Sequence, residues 1–161
     1  MNANNAADLV IKQIGEDHLE MVFGLVWRVF LEFEAPDYAV EGVEHFKTFI
    51  QPDALKLRLT NKGFFILGAF LGEILVGVLA VRDFSHISLL FVDKAYPDHG
   101  IAKRLFQEAL RHCTELKHDI TEITVNSSPY AVEIYRKLGF AAVGEQTTRD
   151  GITFVPMSRV N

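Results

Sequence analysis

Apolar residues recur along this chain with two alternating periods, and the switches between them lay out its elements. Asp8-Leu-Val-Ile-Lys-Gln-Ile14 reads as a first strand. From Asp17, an N-cap candidate, the period becomes helical, with Leu19, Val22, Phe23, Val26, Phe30 and Phe33 on the apolar side and an end near Pro36. A second helix is predicted from Asp37 to Ile50, with Val40, Val43, Phe46 and Ile50 on one face and Pro52 as its stop. Phe64 to Leu71 and Ile74 to Val81 then form a hairpin about Gly72-Glu73, and the unbroken apolar run of the second arm suggests a central strand.

Ile87 to Val92 is the next strand, followed by an amphipathic helix opening at Gly100, with Ile101, Leu105, Ala109 and Cys113 at four-residue spacing. Ile120 to Val125 is a strand, and Tyr130 to Leu138 a helix closed by Gly139. A terminal hairpin follows, Ala141 to Thr148 and Ile152 to Met157, turning at Arg149-Asp150-Gly151, with Pro156 confined to an edge or bulged position. The order is strand, two helices, three strands, helix, strand, helix, two strands. That is an α/β chain with a mixed sheet, read as a single domain over residues 1–161.

Composition narrows the partners. A net charge of -5 argues against nucleic acid or an anionic membrane surface as the main partner. Cys113 is the single cysteine, so no internal disulfide and no cysteine-based zinc site is expected, and no other metal is implied. The start, Met1 to Asp8, lacks the basic and apolar regions of a signal peptide, which points to the cytoplasm. Met21 to Leu31 is the most apolar stretch, interrupted by Gly24 and Arg28, and falls well short of the roughly 20 apolar residues of a membrane span.

The chemistry gathers in two segments. Leu89 to Phe106 runs from a strand through a short polar turn into a helix, so the free N–H groups and positive end of that helix converge on one place and call for an anion. The turn has neither the Gly-x-Gly-x-x-Gly of a dinucleotide fold nor the Gly-Lys-Ser/Thr of a P-loop. The second segment, Tyr130-Ala-Val-Glu-Ile-Tyr-Arg-Lys-Leu-Gly-Phe140, carries two tyrosines one turn apart.

With the order of elements, Gly100-Ile101-Ala102 and Ala131-x-x-x-Tyr135-x-x-x-Gly139-Phe140, the chain resembles the GNAT superfamily of acetyl-CoA-dependent N-acetyltransferases along nearly its whole length. The resemblance implies a central, mostly antiparallel sheet with a splayed parallel strand pair, flanked by about four helices. It implies that Asp98, His99, Gly100, Ile101, Ala102 and Lys103 hold the coenzyme A pyrophosphate, and that Leu90, Phe91 and Val92 pair their backbone with the pantetheine arm. Asn126 or Ser128 would make a further cofactor contact, and Tyr135 would protonate the departing thiolate. One position departs from the family's Arg/Gln-x-x-Gly-x-Gly/Ala signature. Pro97 stands where a cationic or amide group is usual and has no N–H of its own, a loss of about 1.5 to 3 kcal/mol unless Lys103, His99 or Lys94 compensates.

Direct attack by an amine also needs a base, because amines of the lysine type are mostly protonated at neutral pH. His86, at the opening of its strand, is the catalytic base candidate, and Glu32 and Glu34 at the end of the first helix are alternatives. Trp27, Glu32, Glu34 and Tyr38 are the expected acceptor-binding residues. The expected function is therefore transfer of an acetyl group from acetyl-CoA to a primary amine of a small molecule or peptide. A non-catalytic acyl-CoA-binding module and a transferase for longer acyl groups are the rival readings, and a homodimer is compatible with all three.

Overall fold

The computed structural model describes residues 8–97 and 99–161. Eight strands share one mixed sheet: β1 (Leu9–Gln13), β2 (Phe65–Leu71), β3 (Ile74–Arg82), β4 (His86–Val92), β5 (Glu122–Ser127), β6 (Ala141–Ala142), β7 (Thr147–Arg149) and β8 (Ile152–Val160). The order across it is β1-β2-β3-β4-β5-β8-β6, with β7 paired to β8 and, among the described residues, only β4 and β5 parallel. The helices, among the described residues, are α1 (Leu19–Phe33), α2 (Val40–Phe49), α3 (Pro52–Arg58), α4 (Ile101–Leu116) and α5 (Val132–Lys137).

The sheet separates two cores. Alternation along β3 sends Leu79 and Val81 to one face, and a register slip against β2 that leaves Val76 extra adds that residue to them; there they meet Ile101, Leu105 and Phe106 of α4 and Tyr135 of α5. Val78 and Ala80 go to the other, against Leu25, Val26 and Phe30 of α1. All seven residues from Leu75 to Val81 are buried, as the continuous apolar run predicts for a central strand.

Two irregularities of β4 prepare the site. Its register against β3 slips so that Ala80 faces Leu89 but Val81 faces Ile87, leaving Ser88 as an extra residue. This bulge turns Ile87 and Leu89 to opposite faces of the sheet, which an unbroken strand would not do. The parallel ladder to β5 then consists of only His86↔Thr124 and Ile87↔Val125. Beyond Ile87 the two strands part, and the β5-facing edge of Ser88 to Val92 has no ladder partner.

Four expectations change. The helix read over Asp37 to Ile50 begins instead with a 3₁₀ turn at Ala35–Asp37 and becomes α-helical at Val40. Pro52, read as a stop, occupies the first turn of α3, where its missing N–H costs nothing. The first arm of the terminal hairpin is broken into β6 and β7, while β8 runs on to Val160. Pro156, expected at an edge or a bulge, instead lies in β8 between β5 and β6, opposite Asn126 of β5 and just past the end of β6, where its carbonyl accepts the Val143 N–H at 2.9 Å.

One contact between the two halves of the chain, that of α2 with the β7–β8 hairpin, rests on a pair of glycines. Asp150 and Gly151, with φ of +55° and +79°, make the tight turn of the β7–β8 hairpin. That turn lies against α2, where the Ala39 N–H donates to the Gly151 carbonyl at 3.0 Å. A Cβ on Gly42 would stand 2.1 Å from that carbonyl oxygen, so only glycine permits the approach.

Candidate active site

Where β4 and β5 part, two cavities open side by side and share Glu34, Leu90, Phe91 and Ala131 in their walls. The larger, about 440 Å³, lies against the opening of α4. Gly100 takes a φ of +62° there, a left-handed conformation that L side chains resist, and so turns the chain into the helix. The first helical N–H to find an intrahelical carbonyl is that of Arg104, on Gly100, leaving those of Ile101, Ala102 and Lys103 facing outward. Lys94, Lys103 and Lys137 line the same cavity and make it a site for an anion. The Lys94 ammonium is held over the rings of Phe33 and Tyr130, which stack across the cleft at 5.1 Å.

The smaller cavity, about 210 Å³, is lined by Glu34, Tyr38, Phe46, Phe49, Arg82, His86, Ser88, Asn126, Ser128, Tyr135 and Ile152 among others. Glu34 caps the end of α1, where the chain turns into the 3₁₀ turn, and is only 7 % exposed. Burial pushes its carboxyl up to about 7, with Asp37 adding to the shift and a hydrogen bond from Ser128 opposing it. The Glu34 charge in turn reinforces the effect of burial on the phenols of Tyr38 and Tyr135, both held well above the usual tyrosine range. These residues form one electrostatic cluster.

His86 stands in the same wall with Nδ1 at 2.8 Å from the Thr124 hydroxyl. Burial first, and then the Arg82 charge, bring its imidazole down to about 4, so it is neutral and weakly basic at neutral pH. Ser88 reaches this cavity from the bulge, with its Oγ buried and without a hydrogen-bond partner among the described residues. Cys113 lies on the buried face of α4, 1 % exposed and lining neither cavity, with its thiol pushed up to about 11 by burial. It is not placed to act as a nucleophile.

The matched family decides among folds of this shape. Residues 34–160 match the family model described as an acetyltransferase (GNAT) domain. The chain belongs to the GNAT acetyltransferase family. A crystal structure of a GCN5-related N-acetyltransferase from Rhodopseudomonas palustris superposes with a TM-score of 0.79 at 18 % identity, covering 94 % of this chain and 95 % of that one. The PaiA N-acetyltransferase of Thermoplasma acidophilum, in complex with coenzyme A, gives 0.77 at 19 %, covering 96 % and 99 %. A GNAT acetyltransferase from Staphylococcus aureus gives 0.74 at 14 %, covering 95 % and 99 %. No curated protein matches the chain in sequence.

Placed on this GNAT fold, the expected site residues divide between the cavities. Gly100, Ile101, Ala102, Lys103 and Val92 line the larger, Leu90 and Phe91 line both, and Asp98 lies outside the described residues. His99 lines neither cavity. Its Nδ1 is 2.9 Å from the Pro97 carbonyl. Asn126 and Ser128 line the smaller cavity rather than the anion site, and the Ser128 hydroxyl already accepts the Ala131 N–H at 3.2 Å. Tyr135 is in the smaller cavity and Tyr130 in the larger, which separates the two tyrosines.

Two acceptor expectations are corrected. Trp27 is stacked between Phe23 and Phe30 with the Lys47 ammonium over its ring, and lines neither cavity. Glu32 is exposed on the surface of α1, two residues and about 200° around the helix from Glu34. The pocket's aromatic wall comes instead from Phe46 and Phe49 of α2, whose helical spacing reads equally well as core. Arg82, Ser88 and Lys137 were also missed, because nothing local in the sequence marks a strand-end arginine, a bulge or a lysine on α5 as part of a cleft.

Proposed function

We propose that this protein is an N-acetyltransferase that moves an acetyl group from acetyl-CoA directly to a primary amine, with Glu34 as general base and Tyr135 as proton donor. The observation that carries this reading is Glu34 itself, a buried carboxyl near pKa 7 in the wall common to both cavities. A base poised near the working pH takes a proton most effectively. Neutral His86, the other candidate, is too weak a base beside it.

The coenzyme A complex of the Thermoplasma relative supports the same class of cofactor here, and so does the chemistry of the larger cavity. Outward N–H groups of Ile101, Ala102 and Lys103, with Lys94, Lys103 and Lys137, fit a pyrophosphate and stand in for what Pro97 does not supply. The unpaired edge of Leu90 to Val92 fits the amides of a pantetheine arm. When bound, acyl-CoA supplies the activated carbonyl.

Glu34 takes the proton from the attacking nitrogen as the C–N bond forms. Tyr135, kept as a neutral phenol by burial, gives its proton to sulfur as the C–S bond breaks. The proton gained by Glu34 equals the one lost by Tyr135, and exchange within the cluster restores both. The rest of the rate comes from positioning between the parted strands.

The test is thiol release from acetyl-CoA across a panel of amines, with kcat followed against pH. We expect kcat to rise through about pH 7, where Glu34 loses its proton, and Glu34→Gln to remove this limb and lower kcat by about 10²- to 10⁴-fold. Tyr135→Phe lowers kcat at every pH. A limb that survives Glu34→Gln puts the base elsewhere, and thermal stabilisation by coenzyme A without thiol release from any amine establishes the non-catalytic reading.

A further inference from the structure

We infer that the acceptor is an amino acid, a primary amine that also carries a carboxylate, with Arg82 reading the carboxylate at the outer end of the smaller cavity. This rests on the reading that the amine meets Glu34. The cavity has a direction. At one end it shares Glu34, Leu90, Phe91 and Ala131 with the cofactor cavity, so the reacting nitrogen belongs there. At the other it shares Arg82 with an outer hollow that also includes Arg58, Asn61 and Asp83.

The wall supplied by Phe46, Phe49 and Ile152 carries no charge, which suits a carbon frame. Arg82 is the last residue of β3, fixed by its pairing with His86 and by Nη1 donating to Asp83 at 2.6 Å. That bond uses one of the five donors of a guanidinium. The side chain is 44 % exposed, open to a ligand from the outer side. Its field is felt inside the cavity, where it helps to keep His86 neutral. Arg58 stands beside it with its guanidinium 4.4 Å above the Phe49 ring.

An anion at the inner end and cations at the outer end complement a zwitterion. A diamine, polyamine or aminoglycoside would instead bring its second positive charge toward Arg82 and Arg58, a like-charge mismatch that selects against it. Asp83, paired with Arg82 at 2.6 Å, offsets part of that charge and acts on His86 in the opposite sense, so recognition of the carboxylate falls to the guanidinium donors that Asp83 leaves free.

The experiment compares kcat/KM for phenylalanine, for a series of ω-amino acids of increasing length, for the carboxamide of each, and for a diamine. It uses the whole protein with acetyl-CoA, and repeats the set with Arg82→Gln, Arg82→Lys and Glu34→Gln. We expect the best acid to exceed its amide by about tenfold to a hundredfold, the worth of a hydrogen bond to a charged group. Arg82→Gln erases that ratio, Arg82→Lys keeps part of it, and Glu34→Gln lowers acid and amide together without changing it. Equal use of acid and amide, a preference for the diamine, or a ratio that survives Arg82→Gln overturns the assignment. Where no amine yields thiol, the transfer reading fails separately, and thermal stabilisation by acid over amide, lost in Arg82→Gln, still decides the role of Arg82.

Discussion

The two ends of the cleft are built on different plans. The cofactor end is made largely from contiguous backbone: one strand, one turn and the first residues of α4, with lysines added around the rim. The acceptor end is made from side chains that come from α1, α2, β3, β4, β5, α5 and β8, brought together only by the closed fold. A backbone site tolerates change in side chains and depends on one conformation, whereas an assembled site depends on every contact that holds its pieces in register. Pro97 is an example of such tolerance, since the turn keeps its outward N–H groups with a proline where a donor is usual.

The largest effect should come from separating the ends mechanically. Gly42→Leu forces the β7–β8 hairpin off α2 and moves Ile152 out of the acceptor wall, although leucine suits a helix better than glycine by nearly 1 kcal/mol. Acceptor kcat/KM should fall by on the order of a hundredfold or more, equivalent to about 3 kcal/mol, while coenzyme A affinity by calorimetry stays within about twofold. If both fall together, the ends are one unit and the contrast is false.

A second effect is thermodynamic. The Glu34 carboxyl titrates higher in the folded protein, about 7, than the ordinary 4.5, so the folded state holds a proton that the unfolded chain releases. Its contribution is intact below pH 4.5 and is lost as pH rises through 7, about 3 kcal/mol in all. Chemical denaturation at pH 4.5 and pH 8 should show this fall in wild type and little of it in Glu34→Gln. The variant that loses activity should thus be the more stable one at pH 8, and a variant that gains nothing there would show that Glu34 is well solvated.

At the other end, Lys103→Met should weaken coenzyme A binding by about tenfold and flatten its salt dependence, leaving the acceptor KM little changed. Smallest, and opposite in sign, is Pro97→Gln. A side-chain donor restored at this position should tighten coenzyme A by a few-fold, about 1 kcal/mol, read in the same titration. No gain would mean that the lysines already satisfy the pyrophosphate.

The same division explains how much was legible from residues alone. Strands and the α4 stripe announce themselves through local period, and Gly100 through the turn it must make, so the cofactor end is legible in the residues themselves. Glu32 and Glu34 are chemically identical and two positions apart. Only the closed fold, which sets Ser128 and Tyr135 beside Glu34, decides that one is solvated and the other buried near neutrality. For His86 the sequence signal runs the other way. An unperturbed imidazole titrates in the useful range, and it is burial together with Arg82 that takes it out of range. Trp27 and Phe46 follow the same helical period, and which of them faces a cavity depends on how α1 and α2 are rotated against the sheet.

The glycine contact between α2 and the final hairpin also sets an order of events during synthesis. Residues 39–42 and Gly151 are separated by more than a hundred positions of chain, so the acceptor wall cannot close until the hairpin has emerged from the ribosome and docked. The strand, turn and helix of the cofactor end are all made well before that. On the proposed reading, the nascent chain forms the strand, turn and helix of the coenzyme cavity first and completes the wall that selects the amine last.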